Sequence, residues 1–418
     1  ATKNVISLRV KTNAANISKI SSNNLLGKSS TRRLIVLNTQ KSYLNCFYDF
    51  AVSPCSYDFF SFLVNAEICR KRRQFSNINL IFVKGPNNGF RHDPHRTDEQ
   101  NLEFYLNVIL PGLHILPTIA KYSIYDREDL IGFGADAHST FPRGYSVQKP
   151  TFDYLNHERI VGQLRGDASV KFESQDFAKK IVKQKLQGNN VVRFATLTTR
   201  EIERDDVGKT RQPKRKVWER IFEALREKGI TPIVVRDTAC AFDGKSLFEG
   251  VLEFPEASLN PQVRLALYEQ SEINYTKNNG PGFLQLFAFN RAMYFNEIDE
   301  GVTSLSSNWF EKGYGMSVEE KAQYPMTTNN VIFRWGDECF DLAVAGLEEL
   351  SSVSKSCATL NEYAGPKTEE LSKKIAFTKL LHNMNFVVLP EDLQLLQRIE
   401  FTDASGDFIP KFEFISQL

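Results

Sequence analysis

The chain lacks any run approaching the ~18–20 apolar residues of a membrane-spanning helix, although 42% of its 418 residues are hydrophobic. Charge of one dominant sign is missing too. The 52 basic side chains stand against 50 acidic ones, a net charge of +2, which leaves no general electrostatic hold on nucleic acid. Two basic clusters, Arg70 to Arg73 and Lys214 to Lys216, sit in helix-like stretches and read as solvated faces. No C-x-x-C spacing links the six cysteines, Cys46, Cys55, Cys69, Cys240, Cys339 and Cys357. Most lie in apolar contexts typical of buried free thiols, so a reducing compartment is expected. The first thirty residues show no signal-peptide h-region. There is no G-x-S-x-G elbow, no P-loop and no G-x-G-x-x-G, which removes support for serine hydrolase, nucleotide triphosphatase and dinucleotide readings. Internal repeats and low-complexity tracts are absent as well.

What is present is aromatic bulk. Aromatic residues make up 12%, with 32 phenylalanines, which suggests large cores. The length fits two domains of about 150 to 200 residues each. Leu34 to Leu37 predicts a short buried strand, followed by a loop carrying Tyr48, Asp49, Ser53 and Tyr57. A helix starting near Ser53 and Pro54 places Phe59, Phe62, Leu63 and Ala66 on one face. Ile78 to Val83 predicts a second buried strand, and Asn101 to Leu116 a helix and strand. Helical patterns fill His157 to Gln187. In the second half, Val191 to Thr198 is a strand and PKRKVWERIFEALREKG a helix starting at Pro213 and closing at Gly229. Ile230 to Asp237 is the next strand. Asn260-Pro261 caps a further helix, INYTK is a strand, PGFLQLFAF a helix, and Met293 to Asn296 the last strand. Asp337 reads as the N-cap of a final helix. This β-α alternation predicts parallel sheets whose sites lie beyond the carboxyl ends of the strands.

Four constellations stand at such ends. Asn278, Asn279, Gly280, Pro281 and Gly282 follow a strand: they are either an ordinary turn before a helix start or a backbone cradle for an anionic ligand. Arg200 follows another strand, where a guanidinium can pair bidentately with a diphosphate; a solvated loop arginine is the plainer reading. Arg236 and Asp237 end the next strand, and Asp237 is a base, nucleophile or hydroxyl-holding carboxylate, or the cap of its own turn. Arg264 and Tyr268 share a helix face. In the first half Asn87, Asn88, Gly89, Phe90, Arg91, His92, Asp93 and His95 form a polar group after a strand. His92 and Asp93 suit a general base, and Asn88, Arg91 and His95 an acceptor site. The spacing of His92, Asp93 and His95 matches no strong zinc motif.

The order RLALYEQSEINYTKNNGPGFLQLFAFNRAMYF resembles the helix, strand, small-residue loop and helix in the C-terminal domain of GT-B glycosyltransferases, especially heptosyltransferase-like and fucosyltransferase-like enzymes. VVRFATLTTREIERDDVGKTRQPKRKVWERIFEALREKGITPIVV is similar to the strand, arginine-bearing loop, helix and strand that open that domain. The first half, YDFAVSPCSYDFFSFLVNAE through FVKGPNNGFRHD, resembles bacterial glycosyltransferase-like proteins. The likeness spans roughly residues 33 to 345, with Asn-Asn-Gly-Pro where heptosyltransferases carry an Asp-Ser/Thr-Gly-Pro type loop. It implies an α/β chain of two Rossmann-like domains with mainly parallel sheets facing a cleft. The expected division is an arm over 1–32, an acceptor-side domain over 33–187, a nucleotide-sugar domain over 188–345 and a C-terminal segment over 346–418. The resemblance implies a glycosyltransferase moving a sugar from a nucleotide-sugar to a glycan, glycolipid or other hydroxyl acceptor without a bound metal or cofactor. Its donor contacts would be Arg200, Arg264, Asn278, Asn279, Gly280 and Gly282, and its catalytic groups Asp237, His92, Asp93 and Arg200. A sugar-nucleotide epimerase and a non-catalytic carbohydrate-binding protein remain alternatives on the same scaffold. The expected location is the cytoplasm, with room for peripheral contact at the inner membrane surface.

Overall fold

The computed structural model describes residues 43–94, 96–132, 136–151, 170–201, 212–302, 305–310, 316, 318–319, 321–324, 327–355, 401–402 and 408–409. The expected strand at Leu34 to Leu37, the arm over 1–32, His95 and most of the segment after 355 lie outside these residues. Two all-parallel sheets carry the fold, as the β-α alternation requires.

The first sheet contains β1 (Tyr43–Asp49), β2 (Asn77–Val83), β3 (Ile119–Tyr125) and the short β4 (Thr140–Phe141), in the order β3-β2-β1-β4. Tyr48 and Asp49, expected in a loop, are strand residues. Helices cover both faces of a central parallel strand, so its side chains are buried almost throughout and polar-apolar alternation is lost as a signal. Helix α1 (Asp58–Arg72) starts five residues later than its sequence suggests, after a tight turn in which Val52 and Ser53 donate to the Asp49 carbonyl. Tyr48 is fully buried, with its ring edge-on to Phe59 and Phe62 at 5.1 and 5.0 Å and its hydroxyl donating to the Pro54 carbonyl at 2.6 Å. The region Asn101 to Leu116 is helical, opened by α2 (Asp98–Phe104) with a Thr97/Gln100 capping box, and its strand lies further on at β3.

The second sheet holds β5 (Phe194–Thr198), β6 (Thr231–Val235), β7 (Leu252–Glu253), β8 (Asn274–Lys277), β9 (Ala292–Asn296) and β10 (Val331–Trp335), in the order β10-β9-β8-β5-β6-β7. Sequence reading finds β5, β6, β8 and β9 and misses β7 and β10. Among the described residues, four helices of ten residues or more connect or flank these strands: α3 (Asp176–Gly188), α4 (Arg215–Glu227), α5 (Pro261–Gln270) and α7 (Phe340–Ser351), with the single turn α6 (Phe283–Leu286) after β8. Gly229 ends α4 in the left-handed region at φ +70°. Asn260 caps α5, its Oδ1 accepting from Gln262 N at 2.8 Å. Asp337 does not cap α7; Cys339 precedes its first turn, and Asp337 instead pairs with Lys214 and Lys277.

The two sheets share one apolar core. Phe60, Phe104 and Phe172 on one side join Leu265, Tyr268, Leu284 and Phe287 on the other. At ~1.5–3 kcal/mol for each fully buried large apolar side chain, this contact resists separation of the sheets. Gly112 belongs to it: a Cβ there would stand 2.6 Å from the Phe60 ring.

Candidate functional site

An open parallel sheet binds ligands beyond the carboxyl ends of its strands, where the strand order reverses. In the second sheet the chain starts at β5, runs outward through β6 and β7, and returns to β8 on the other side of β5. The reversal therefore separates Thr198 from Lys277, and the loops after them carry Arg200 and Asn278 to Gly282. In the first sheet it falls between β1 and β4, so the loop from Phe50 to Tyr57 is the equivalent place. These two sets of loops touch. A Cβ on Gly280 would stand 3.0 Å from the Tyr57 Cβ, so glycine at this position lets the loop after β8 approach the loop after β1.

The most informative side chain at this seam is Asp58, the first residue of α1. Ser56 Oγ donates to its carboxylate at 2.8 Å. Burial pushes the Asp58 carboxyl above the ordinary aspartate range, against the opposing pull of Ser56, Arg91, Arg96 and Arg200. The residue is nonetheless exposed to solvent. An acid that water reaches but dense protein surrounds is the combination a concave seam produces. Arg91 and Arg96 come from the loop after β2, and Arg200 from the loop after β5. Arg91 donates to the Val52 carbonyl at 3.2 Å and leaves its buried Nε without a partner. Arg96 donates to the Cys55 carbonyl and lies over the Phe104 ring at 4.6 Å. The charges of guanidinium groups from loops of both sheets thus act on this one carboxylate. Sequence reading passed over Asp58 because an aspartate in the first turn of a helix is ordinary dipole complementation. The usable signal was its place at the end of the first strand-to-helix connection.

The structure gives Asn279 a role inside its own loop. The side chain is buried, donates from Nδ2 to Thr276 Oγ1 at 3.0 Å, and accepts from Gly282 N at 2.7 Å. Its amide is spent closing the turn, and a Cβ on Gly282 would meet Asn279 Oδ1 at 3.0 Å. The helix that follows is only four residues long, too short to align peptide dipoles toward an anion. Of the two readings of this loop, a turn or a ligand cradle, the geometry of Asn279 supports the turn. Asn278 is half-buried at its rim.

Arg264 is fully buried behind the seam rather than on it. Its Nε donates to the Ala257 carbonyl at 2.8 Å, and the η nitrogens reach Tyr268 Oη at 3.3 Å and the carbonyls of Arg236 and Ser258 at 3.4 Å. Tyr268 continues the network to Thr198 Oγ1 at 2.6 Å. The Tyr57 ring covers the Arg264 guanidinium at 5.9 Å, closing it off from the first sheet's side. Asp237 is half-buried beside Tyr57 and Arg264 and opens the short turn Thr238–Cys240 without capping it through its side chain. Arg236 is structural: it binds the Glu201 carboxylate through Nε at 3.1 and 3.0 Å and donates to the Lys245 carbonyl at 2.7 Å.

The polar group after β2 is a tight hairpin. Gly85 pairs with Gly89 and Asn87 with Phe90, with Asn88 at φ +49° and Gly89 at φ +98°. Asn88 Nδ2 donates to Asp98 Oδ2 at 2.5 Å. His92 is exposed and Asp93 half-buried, with Asp93 close enough to Cys55 to act on its thiol. Of this hairpin group, Arg91 is brought to Asp58. Among the described residues no three His, Cys, Asp or Glu side chains gather as metal ligands.

Sequence reading also missed an ionic cluster at the ends of β8 to β10. Lys277 is buried and reaches Glu297 at 3.4 Å, Asp337 at 3.5 Å and Glu338 at 3.8 Å. Glu338 accepts from Trp218 Nε1 and from Lys214 N, both at 2.6 Å. Burial raises the Glu338 carboxyl while Lys277 and these donors hold it down.

No family profile matches the chain, and no curated protein matches it by sequence. Among solved structures, it is similar to a glycosyl transferase family 9 protein from Veillonella parvula, at 9% identity and a TM-score of 0.41, covering 82% of this chain and 98% of that one. The ADP-heptose lipopolysaccharide heptosyltransferase II of E. coli shows 8% identity and a TM-score of 0.40 over 74% of this chain and 98% of that one. The UDP-GlcNAc 2-epimerase of Methanocaldococcus jannaschii shows 10% identity and a TM-score of 0.32 over 80% of this chain and 99% of its own.

Proposed function

We propose that the chain is a glycosyltransferase of GT-B type, transferring a sugar from a nucleotide-sugar to a hydroxyl of a glycan or glycolipid at the seam between its two sheets. The observation that carries this reading is Asp58: a solvent-reached carboxyl at the start of α1, pushed up by burial at the seam where the two sets of loops touch, on which the charges of Arg91, Arg96 and Arg200 act, the last from the second sheet. A carboxylate tuned toward neutrality takes the proton from an attacking hydroxyl. Guanidinium groups beside it stabilise the negative charge that grows on a departing diphosphate. Asp58 thus takes the base role first expected of His92, Asp93 or Asp237. In this reading Asp237 holds a donor hydroxyl, Asn278 and Gly280 line the donor side, and Asn88 and Arg91 the acceptor side. Asn279, Gly282 and Arg264 support the loop from behind.

The test is nucleoside diphosphate release from a panel of nucleotide-sugars with glycan acceptors. Asp58→Asn lowers kcat by about 10²–10⁴ with donor KM little changed, and Arg200→Ala weakens both donor binding and turnover. Parent-level turnover in Asp58→Asn would remove the proposed base. A stereochemical change in the nucleotide-sugar without acceptor, followed by NMR, would favour the epimerase reading instead.

A further inference from the structure

Away from the seam, one largely buried cation has no acid to balance it. Lys277 stands among three carboxylates, and the Lys355 ammonium donates to the carbonyls of Glu269 and Ser271. Lys171 has neither. Its Nζ donates to Thr328 Oγ1 at 3.3 Å and lies 5.7 Å from the centre of the Phe289 ring, and burial alone lowers its amine to about 8. The charged and titratable side chains around it are turned away. Glu173, His114 and Lys321 are exposed, and Arg291 is directed to Glu272 and to the carbonyls of Ser351 and Val353. One hydrogen bond leaves two of the three ammonium hydrogens over. The Thr328 hydroxyl passes its own hydrogen to Asn330 Oδ1, and Asn330 Nδ2 holds the carbonyl of Asn290. Asn290 is fully buried, and both ends of its side-chain amide are without a partner. A buried ammonium with no counter-charge and a buried amide with nothing to bond are each costly. Here a short chain of hydrogen bonds joins them. Asn290 and Asn330 come just before β9 and β10, so this cluster stands at the amino ends of the second sheet, opposite the loops that carry Arg200 and Asn278.

We propose that Lys171 and Asn290 form a binding site for a small 2-hydroxycarboxylate. The carboxylate supplies the single negative charge that one ammonium balances, its two oxygens taking hydrogens from Lys171 Nζ and Asn290 Nδ2. The neighbouring hydroxyl gives its hydrogen to Asn290 Oδ1, so one ligand satisfies both ends of the amide. A phosphate dianion leaves surplus negative charge beside a single cation, and a halide offers nothing to Oδ1. Lys171 is only half-buried, which opens the site to solvent, with the Phe289 ring beside it. Its segment is tied to both halves of the fold: Phe172 N donates to the Phe287 carbonyl and Glu173 N to the Ile115 carbonyl, each at 2.8 Å. Occupancy therefore braces the contact between the sheets. The proposal is independent of the reaction proposed at the seam.

The test is calorimetric titration of the whole protein with lactate, propionate and inorganic phosphate at constant ionic strength, paired with thermal melts. Lactate is expected to bind and to raise the melting temperature. Propionate, which lacks the hydroxyl, binds about tenfold or more weakly, and phosphate more weakly than lactate. Only the ammonium form of Lys171 attracts the anion, so affinity holds below pH 8 and falls about tenfold for each pH unit above it. Lys171→Met removes a buried charge, keeps the fold, and lowers lactate affinity about tenfold or more. Asn290→Leu replaces an unpartnered amide by an apolar group of similar size, which the fold tolerates, and erases the preference for lactate over propionate. No lactate binding by the parent, parent affinity in Lys171→Met, propionate or phosphate bound as tightly as lactate, or an affinity flat from about pH 7 to pH 10 each overturns the proposal.

Discussion

Replacing Asn279 by alanine separates the two readings of the loop after β8. The side chain makes two buried hydrogen bonds, and their loss is unequal. Thr276 Oγ1 keeps its bond to the Lys277 carbonyl at 2.9 Å, so losing the Nδ2 donor removes an ordinary net contribution of about 0.5–1.5 kcal/mol. Gly282 N loses its acceptor at 2.7 Å inside a closed turn, and an orphaned buried amide costs about 1–3 kcal/mol. Asn279→Ala should therefore destabilise by about 1.5–4.5 kcal/mol in urea titrations followed by fluorescence. Asn279→Asp keeps the acceptor for Gly282 N and should recover most of that loss. If the turn is the whole role, nucleotide affinity measured by calorimetry below the unfolding transition changes little in Asn279→Asp. Parent stability in Asn279→Ala, combined with lost nucleotide binding, would refute the structural assignment and restore the ligand contact.

Glycine substitutions should rank by what their new Cβ meets. Gly85→Ala drives a carbon to 2.5 Å from the Phe50 and Phe90 carbonyl oxygens, backbone that cannot move aside, and should lower the melting temperature more than Gly346→Ala, whose contact at 2.4 Å is the mobile Met293 sulfur; the reverse order in thermal melts would contradict this. Burial lowers the Lys171 amine to about 8. Its folded value thus lies below the unfolded one of ~10.4, so folding carries a penalty of up to about 3 kcal/mol below pH 8 that fades as pH rises toward 10. Lys171→Met should raise stability at pH 7 and lose that advantage by pH 10, read from melts across pH. Trp218→Phe removes the 2.6 Å bond to Glu338 and should cost about 1.5–3 kcal/mol, whereas in a Glu338→Gln background the same change should cost less, measured as a double-mutant cycle.

The parallel-sheet architecture was legible because its strands announce themselves by short apolar runs between amphipathic helices: Ile78 to Val83 and Ile230 to Val235 need no other information. Elements of two or three residues carry too little pattern, and β4 and β7, two residues each, exist only because neighbouring strands offer them hydrogen bonds. The site divides the same way. Arg200 stood out in the sequence because it follows a strand, a property of the local chain. Asp58 did not, because its surroundings are delivered from elsewhere: the charges of Arg91 and Arg96, more than thirty residues away, and of Arg200, from the other sheet, act on a carboxyl that burial pushes up. Asn279 shows the converse case. Its composition resembled a ligand loop, yet the distance between Asn279 Oδ1 and Gly282 N is set within three residues and closes the loop on itself. A glycine-asparagine loop gains ligand character when its amides are left unpaired, and that depends on whether a neighbouring threonine and a backbone N–H compete for them first. Here they do, and the unspent positive charge at the seam is that of the guanidinium groups acting on Asp58.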